Sequence, residues 1–378
     1  MNRISIKKHA PRGRSRGLSL VELLVASAIG IIASLAIFQV FAVFEGQKRT
    51  TTSGGEAQTN GTLALHSVER EVRLSGYGFN AIDLVGCTAQ GWDQTAGAAL
   101  TPWTLAPIVI SQGAGGGPGI AGAPDTITVM YGNGDQLPAP VTLGVNSLGV
   151  ADDFFKIFNP FGIRAGDVVM LGEAGKPCTL AQVNQVPPAT GDSTRFNVQP
   201  GQYLNASGAP VNTRYNNPGG LGTAYTTNGK VLNLGEGPTI KTFSVQNSQL
   251  VSQALGAATA TPLYDSIVQL QAQYGKDTTN DGVVDVFEDA SPTTTAEWAS
   301  VLAVRIALVA RSSLYEKDQV SPASIRLWED CLSTTVPPCP LPPYTTGPVW
   351  TLTADERHYR YKVFQTVIPL RNMIWRPQ

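Results

Sequence analysis

The chain has 378 residues, 42% hydrophobic and 15% charged, with a formal net charge of −1 at pH 7. That length can bury a substantial core, and the lack of a strongly basic balance excludes binding of nucleic acid through broad electrostatics, which needs a positive surface to neutralise phosphates. The three histidines, His9, His66 and His358, accompany no nucleophile elbow, zinc-protease helix or phosphate loop, so no catalytic residue is assigned and the chain reads as a non-enzyme.

The first seventeen residues hold six Lys or Arg and no acid, and no charged residue occurs from Leu23 to Phe44. At ~1.5 Å per residue that run is long enough to cross a hydrocarbon core of ~30 Å. The positive-inside bias holds the basic end in the cytoplasm, so the rest of the chain faces outward. A cleaved secretory signal has an apolar core of only ~7 to 15 residues. The present run is longer, and the apolar segment around it contains Glu22. A carboxylate inside a lipid-compatible segment costs ~2.5 to 3.5 kcal/mol on the insertion scale, so Glu22 calls for a partner.

Beyond the apolar run, Gly54 and Gly55 follow Thr50, Thr51, Thr52 and Ser53. Consecutive glycines cost ~1 kcal/mol each in a helix, so loosening is expected there. Leu65, Val68 and Val72 then recur at helical spacing among Glu69, Arg70, Glu71 and Arg73, until Gly76 supplies a stop. No proline interrupts the chain between Pro11 and Pro102.

From Gly76 onward the composition turns to Gly, Pro, Thr, Ser and Asn around short apolar runs, the pattern of strands joined by long loops. Strands are expected at Ile127 to Tyr131, Asp167 to Leu171 and Thr242 to Val245. Val268, Leu270, Ala272 and Tyr274 alternate with Gln269, Gln271 and Gln273, which predicts a half-buried strand. Leu302, Val304, Ile306 and Leu308 form another apolar face opposite Arg305 and Arg311, and a last strand is expected from Arg360 to Ile368. Gln112 to Pro124 and Pro187 to Thr226 are assigned to loops. Cations and aromatics mix from Arg357 to Phe364, and strand alternation accounts for them without nucleic acid.

The segment Asp277 to Glu288 carries the sharpest chemical pattern, with the spacing of an EF-hand-type calcium loop. Asp277, Thr279, Asp281, Val283 by its carbonyl, Asp285 and Glu288 fall at ligand positions, and Gly282 supplies the sharp turn. Calcium is the cofactor expected on this reading. An Asn-Asp-Gly hairpin turn is the plainer alternative.

Four cysteines, Cys87, Cys178, Cys331 and Cys339, lie in the part expected to reach an oxidising compartment, so disulfides are the default. The short Pro-containing loop between Cys331 and Cys339 favours that pair and leaves Cys87 with Cys178; spacing is also compatible with the other two connectivities. No Cys-x-x-Cys pair or nearby His completes a zinc set.

Gly17, Leu18 and Glu22 resemble the type III signal of type IV prepilins. The stem ending Arg70 to Gly78, Tyr274-Gly275 before the acidic loop, and Arg360 to Asn372 narrow the resemblance to the PilW class of type IV minor pilins. The resemblance implies cleavage after Gly17 and N-methylation of Leu18 by the prepilin peptidase, with Glu22 pairing to the N-terminal amine of a neighbouring subunit. Loss of the leader leaves 21 basic residues against 28 acidic ones, a net charge of −7.

The implied fold is α+β: leader 1–17, membrane and fibre-core helix 18–45, amphipathic stem 46–76, and a large β-rich head 77–378 with long loops and the calcium loop 277–288. The implied function is a minor pilin in a complex that primes pilus assembly, at the tip, supporting twitching motility or cell adhesion. Its partners would be other minor pilins, the major pilin, the prepilin peptidase, the inner-membrane assembly platform and a surface ligand, but not nucleic acid. It would lie in the inner membrane with a periplasmic head before joining the fibre. A J-like minor pseudopilin of type II secretion and a ligand-binding tip adhesin are the alternatives.

Overall fold

The computed structural model describes residues 19–79, 81–116, 120–134, 139–144, 148–158, 161–187, 192, 194–328 and 347–374. The chain divides into two compact units, one ending at Ser53 and the other running from Gly54 to the C-terminus. The architecture is α+β: one long N-terminal helix, Leu20–Leu74, followed by a region of many short sheets.

Within the first unit every residue from Ser19 to Arg49 is exposed, although an 18-residue window of the helix has a mean hydropathy of 2.4. An apolar surface of that extent is not stable against water and marks contact with lipid or with other helices. Ser27 and Ser34 donate their hydroxyls to Leu24 O and Gly30 O, so the helix presents few free polar groups.

The helix does not loosen at Gly54 and Gly55; it is continuous to Leu74. Ala57, Gly61, Ala64, Val68 and Val72 make a buried stripe, and Leu65 packs beside it. Burying Val68 and Val72 gains ~1.5 to 3 kcal/mol each, which exceeds the ~1 kcal/mol cost of each glycine. The glycine pair is therefore carried by tertiary packing. Glu71, expected on the polar face, is buried, accepting from the Tyr131 hydroxyl at 2.7 Å and Lys241 Nζ at 3.2 Å. The helix ends as expected: Gly76 takes φ +82°, its N–H donates to Met130 O, and Asn372 Nδ2 donates to Leu74 O and Ser75 O.

That stripe shares a core with two antiparallel sheets. One has the order Val286–Glu288, Ile267–Lys276, Val301–Arg311, Tyr361–Pro369. The other has the order Thr261–Asp265, Gln249–Ala254, Thr239–Gln246, Thr126–Tyr131, Ile108–Ser111. Tyr274 lies in their common core, accepting the Ile110 N–H at 2.6 Å and meeting Trp298 edge to face.

A third, six-stranded sheet runs Trp103–Thr104, Thr88–Gln90, Cys178–Gln182, Val168–Gly172, Lys230–Gly235, Val141–Thr142. Val168 and Met170 face one apolar cluster and Val169 and Leu171 another, so this sheet is covered on both sides. The Thr88 and Cys178 strands are parallel neighbours, and a disulfide joins Cys87 to Cys178 with Cα atoms 6.0 Å apart. Cys331 and Cys339 lie outside the described residues.

Two further sequence expectations need correction. Among its described residues the segment 187–226 holds three short strands, Arg195–Asn197, Gln202–Leu204 and Pro210–Asn212, each too brief to show alternation. The strand Ile267–Lys276 is buried on both faces rather than one: Gln269, Gln271 and Gln273 are each no more than 5% exposed. Their amides donate to Gly122 O, Ala123 O and Asp289 Oδ1, and Arg305 Nε donates to Gln273 Oε1. The glycine-rich segment before Asp125 thus supplies the carbonyls that let a polar face become interior.

Candidate functional site

Gly17 and Leu18 lie outside the described residues. Glu22 occupies the first turn of the long helix and is exposed. A carboxylate in the first turn is favoured by the helix macrodipole, which places partial positive charge at that end. The helix thus presents an acid at its head and a continuous apolar surface behind it, an arrangement suited to lateral packing with an ion pair setting the register.

The acidic loop begins where the Ile267–Lys276 strand ends. Asp277 is 8% exposed, and its two oxygens accept N–H groups of Asn280 at 2.6 Å, Asp281 at 3.3 Å and Gly282 at 2.8 Å. Asn280 and Gly282 take φ of +60° and +83°, the left-handed geometry that Asn and Gly tolerate best. Asp285 Oδ2 accepts the N–H and hydroxyl of both Thr278 and Thr279. Those donors, Thr278 foremost, hold the Asp285 carboxyl below the usual carboxylate range.

The remaining positions are placed differently. Asp281 Oδ1 accepts the Val283 N–H at 2.9 Å, and Glu288 is ion-paired with Lys276. Asp277 and Asp285 are therefore the two acids that shape the loop, while Asp281 and Thr279 remain on its exposed surface. Among the described residues no three His, Cys, Asp or Glu side chains gather as a metal centre. The donor set is all oxygen, the type calcium takes; Asp277 Oδ2 and Asp281 Oδ1 engage one amide each and keep a second lone pair, whereas Asp285 Oδ2 is occupied by its four donors.

Sequence reasoning missed the buried polar layer beside this loop. Asp125, 1% exposed, accepts the N–H of Gly113 at 2.8 Å and of Ala272 at 2.9 Å. Burial pushes its carboxyl up to about 6, with Asp289 adding to the rise against the two amide donors. Arg305 lies between Phe287 and Trp328, with its guanidinium carbon 4.8 Å and 4.5 Å from the two ring centroids. The only available signal was three glutamines on one strand face, each needing an amide partner if buried.

Comparison with known proteins locates this region. Residues 235–372, which include the four-stranded sheet, the acidic loop and Asn372, match the family model PilW, Type IV Pilus-assembly protein W. No curated protein and no solved structure matches the chain. The long apolar helix fits an association with membrane or pilus, and the matched family is described as a pilus-assembly one. With that helix ahead of the matched segment, the match supports a PilW-like type IV pilus class for the chain and involvement in pilus assembly.

Proposed function

We propose that the protein is a minor pilin that joins other minor pilins in a complex priming fibre assembly, and that it stays at the pilus tip. The observation that carries this reading is the exposed apolar helix with Glu22 in its first turn. Cleavage after Gly17 frees the Leu18 amine, which is methylated, and Glu22 pairs with such an amine on an adjacent subunit. Before assembly the helix spans the inner membrane and the head lies in the periplasm. The fibre then serves twitching motility or adhesion.

The test is mass spectrometry of the mature N-terminus together with pilus counts in a Glu22→Ala strain. A methylated Leu18 start and a loss of pili are expected. An uncut leader, or normal pilus numbers without the acid, overturns the reading. Within it, calcium is proposed for residues 277–288, with oxygens from Asp277, Thr279, Asp281, Val283, Asp285 and Glu288. Calcium should raise the melting temperature of the head, and Asp281→Ala should abolish the rise; an equal shift in the variant removes the metal.

A further inference from the structure

The short hairpin Trp92–Asp93 and Ala98–Ala99 separates two cavities in the head. The first is about 420 Å³, within the ~300 to 1,000 Å³ range of small-ligand sites. The second, about 220 Å³, shares Ala99 and Leu100 with it. Trp103 lines the first and Trp92 the second, so each cavity carries one indole.

The polar wall of the first cavity is built by sheet register. Thr128, Thr242 and Gln253 are direct cross-strand partners on three neighbouring strands, which sets two hydroxyls and an amide in one row. The two threonine oxygens are 2.8 Å apart, and Gln253 Nε2 donates to Ala257 O at 2.7 Å, leaving its carbonyl oxygen as an acceptor. The indole N–H of Trp103 finds no acceptor among the described residues, a condition native structures normally avoid.

Charge on the wall is already satisfied. Asp93 is its one acid; Oδ1 accepts from the Thr95 and Ala96 amides, and Oδ2 faces Arg214 Nη2 at 3.6 Å. A charged ligand would find no unpaired counter-charge there. A ligand with an apolar face for indole, Leu100 and Ile240, and hydroxyls along its edge, matches what is offered.

We propose that the paired cavities flanking the 92–99 hairpin bind a neutral oligosaccharide, one pyranose ring per cavity. This site is separate from the assembly helix and gives the head a ligand of its own.

The experiment uses the full-length protein in a zwitterionic detergent without a sugar headgroup. It is screened against neutral oligosaccharides of glucose, galactose, mannose and N-acetylglucosamine, against sialylated glycans, and against a peptide library, with tryptophan fluorescence titration of each hit. Neutral di- and trisaccharides should bind about tenfold tighter than their monosaccharides. Ala98→Trp, which fills the first cavity, and Thr242→Val, which removes one hydroxyl from the row, should each weaken binding about tenfold or more with the melting temperature unchanged. Pilus number in the Ala98→Trp strain should stay at the wild-type level, which separates this outcome from failure of the assembly role. No neutral saccharide bound at millimolar concentration, a preference for sialylated glycans or peptides, or binding untouched by both variants overturns the proposal.

Discussion

Asp125 pays for its burial in a way that pH can read out. Its folded-state carboxyl is raised to about 6 against an ordinary 3.8, first by burial. The folded chain therefore holds this proton more tightly than the unfolded chain between those values. The contribution is fully present below the unfolded value and is lost as pH rises through the folded one. Two units correspond to about 3 kcal/mol, so wild type should gain roughly that much over Asp125→Asn as urea melts are taken from pH 7 to pH 4. A constant difference across that window would refute the account. Glu71 behaves oppositely: burial raises it, but Tyr131, Lys241 and Arg70 together bring it below the usual value. Neither acid could be identified from the sequence, because what distinguishes them is the donors brought from distant strands.

Periodicity made the main elements legible and tertiary cover did not show in it. Strands at Thr126–Tyr131, Val168–Gly172, Thr239–Gln246 and Tyr361–Pro369 coincide with the expected runs, since alternating apolar residues, or in Val168–Gly172 a short continuous apolar run, report a strand directly. The interior glutamine face was illegible because its cover is a glycine-rich segment without a period. The stem helix teaches the same lesson through its glycines. A Cβ at Gly54 or Gly55 would meet nothing within 4 Å, whereas one at Gly61 would overlap the Phe364 ring. Gly54→Ala should thus raise head stability by up to ~1 kcal/mol. Gly61→Ala should lower it by ~1 to 3 kcal/mol, since the ring must shift in a packed core. Thermal melts of the two variants moving in the same direction would show that the stripe is not seated as described.

Across the whole molecule, the family match and the disulfide divide the head between them. Residues 235–372 match PilW, while the six-stranded sheet is drawn mainly from chain preceding that segment. Cys87 and Cys178 are 91 positions apart, and their bond ties two parallel strands of that sheet. A Cys87→Ser and Cys178→Ser double variant should lose ~2 to 5 kcal/mol in denaturant melts, and pilus counts should fall with protein abundance. Melts unchanged by the double variant would assign the stability of this sheet to its two apolar clusters alone. Spacing left three pairings open but favoured Cys87 with Cys178, and the fold bears that pair out by setting the two strands side by side.

Asn372 closes the end of the stem helix across 298 positions, and Phe364, Ile368, Leu370 and Met373 complete the core that Ala57 to Val72 enter. During synthesis at ~5 to 20 residues per second, that interval is a delay of roughly 15 to 60 s. For this time the stem carries an uncovered greasy stripe whose lid has not yet been made. Closure of the stem therefore waits for residues made 298 positions after it, and a nascent chain cut short before them would leave its quality control facing an uncapped helix.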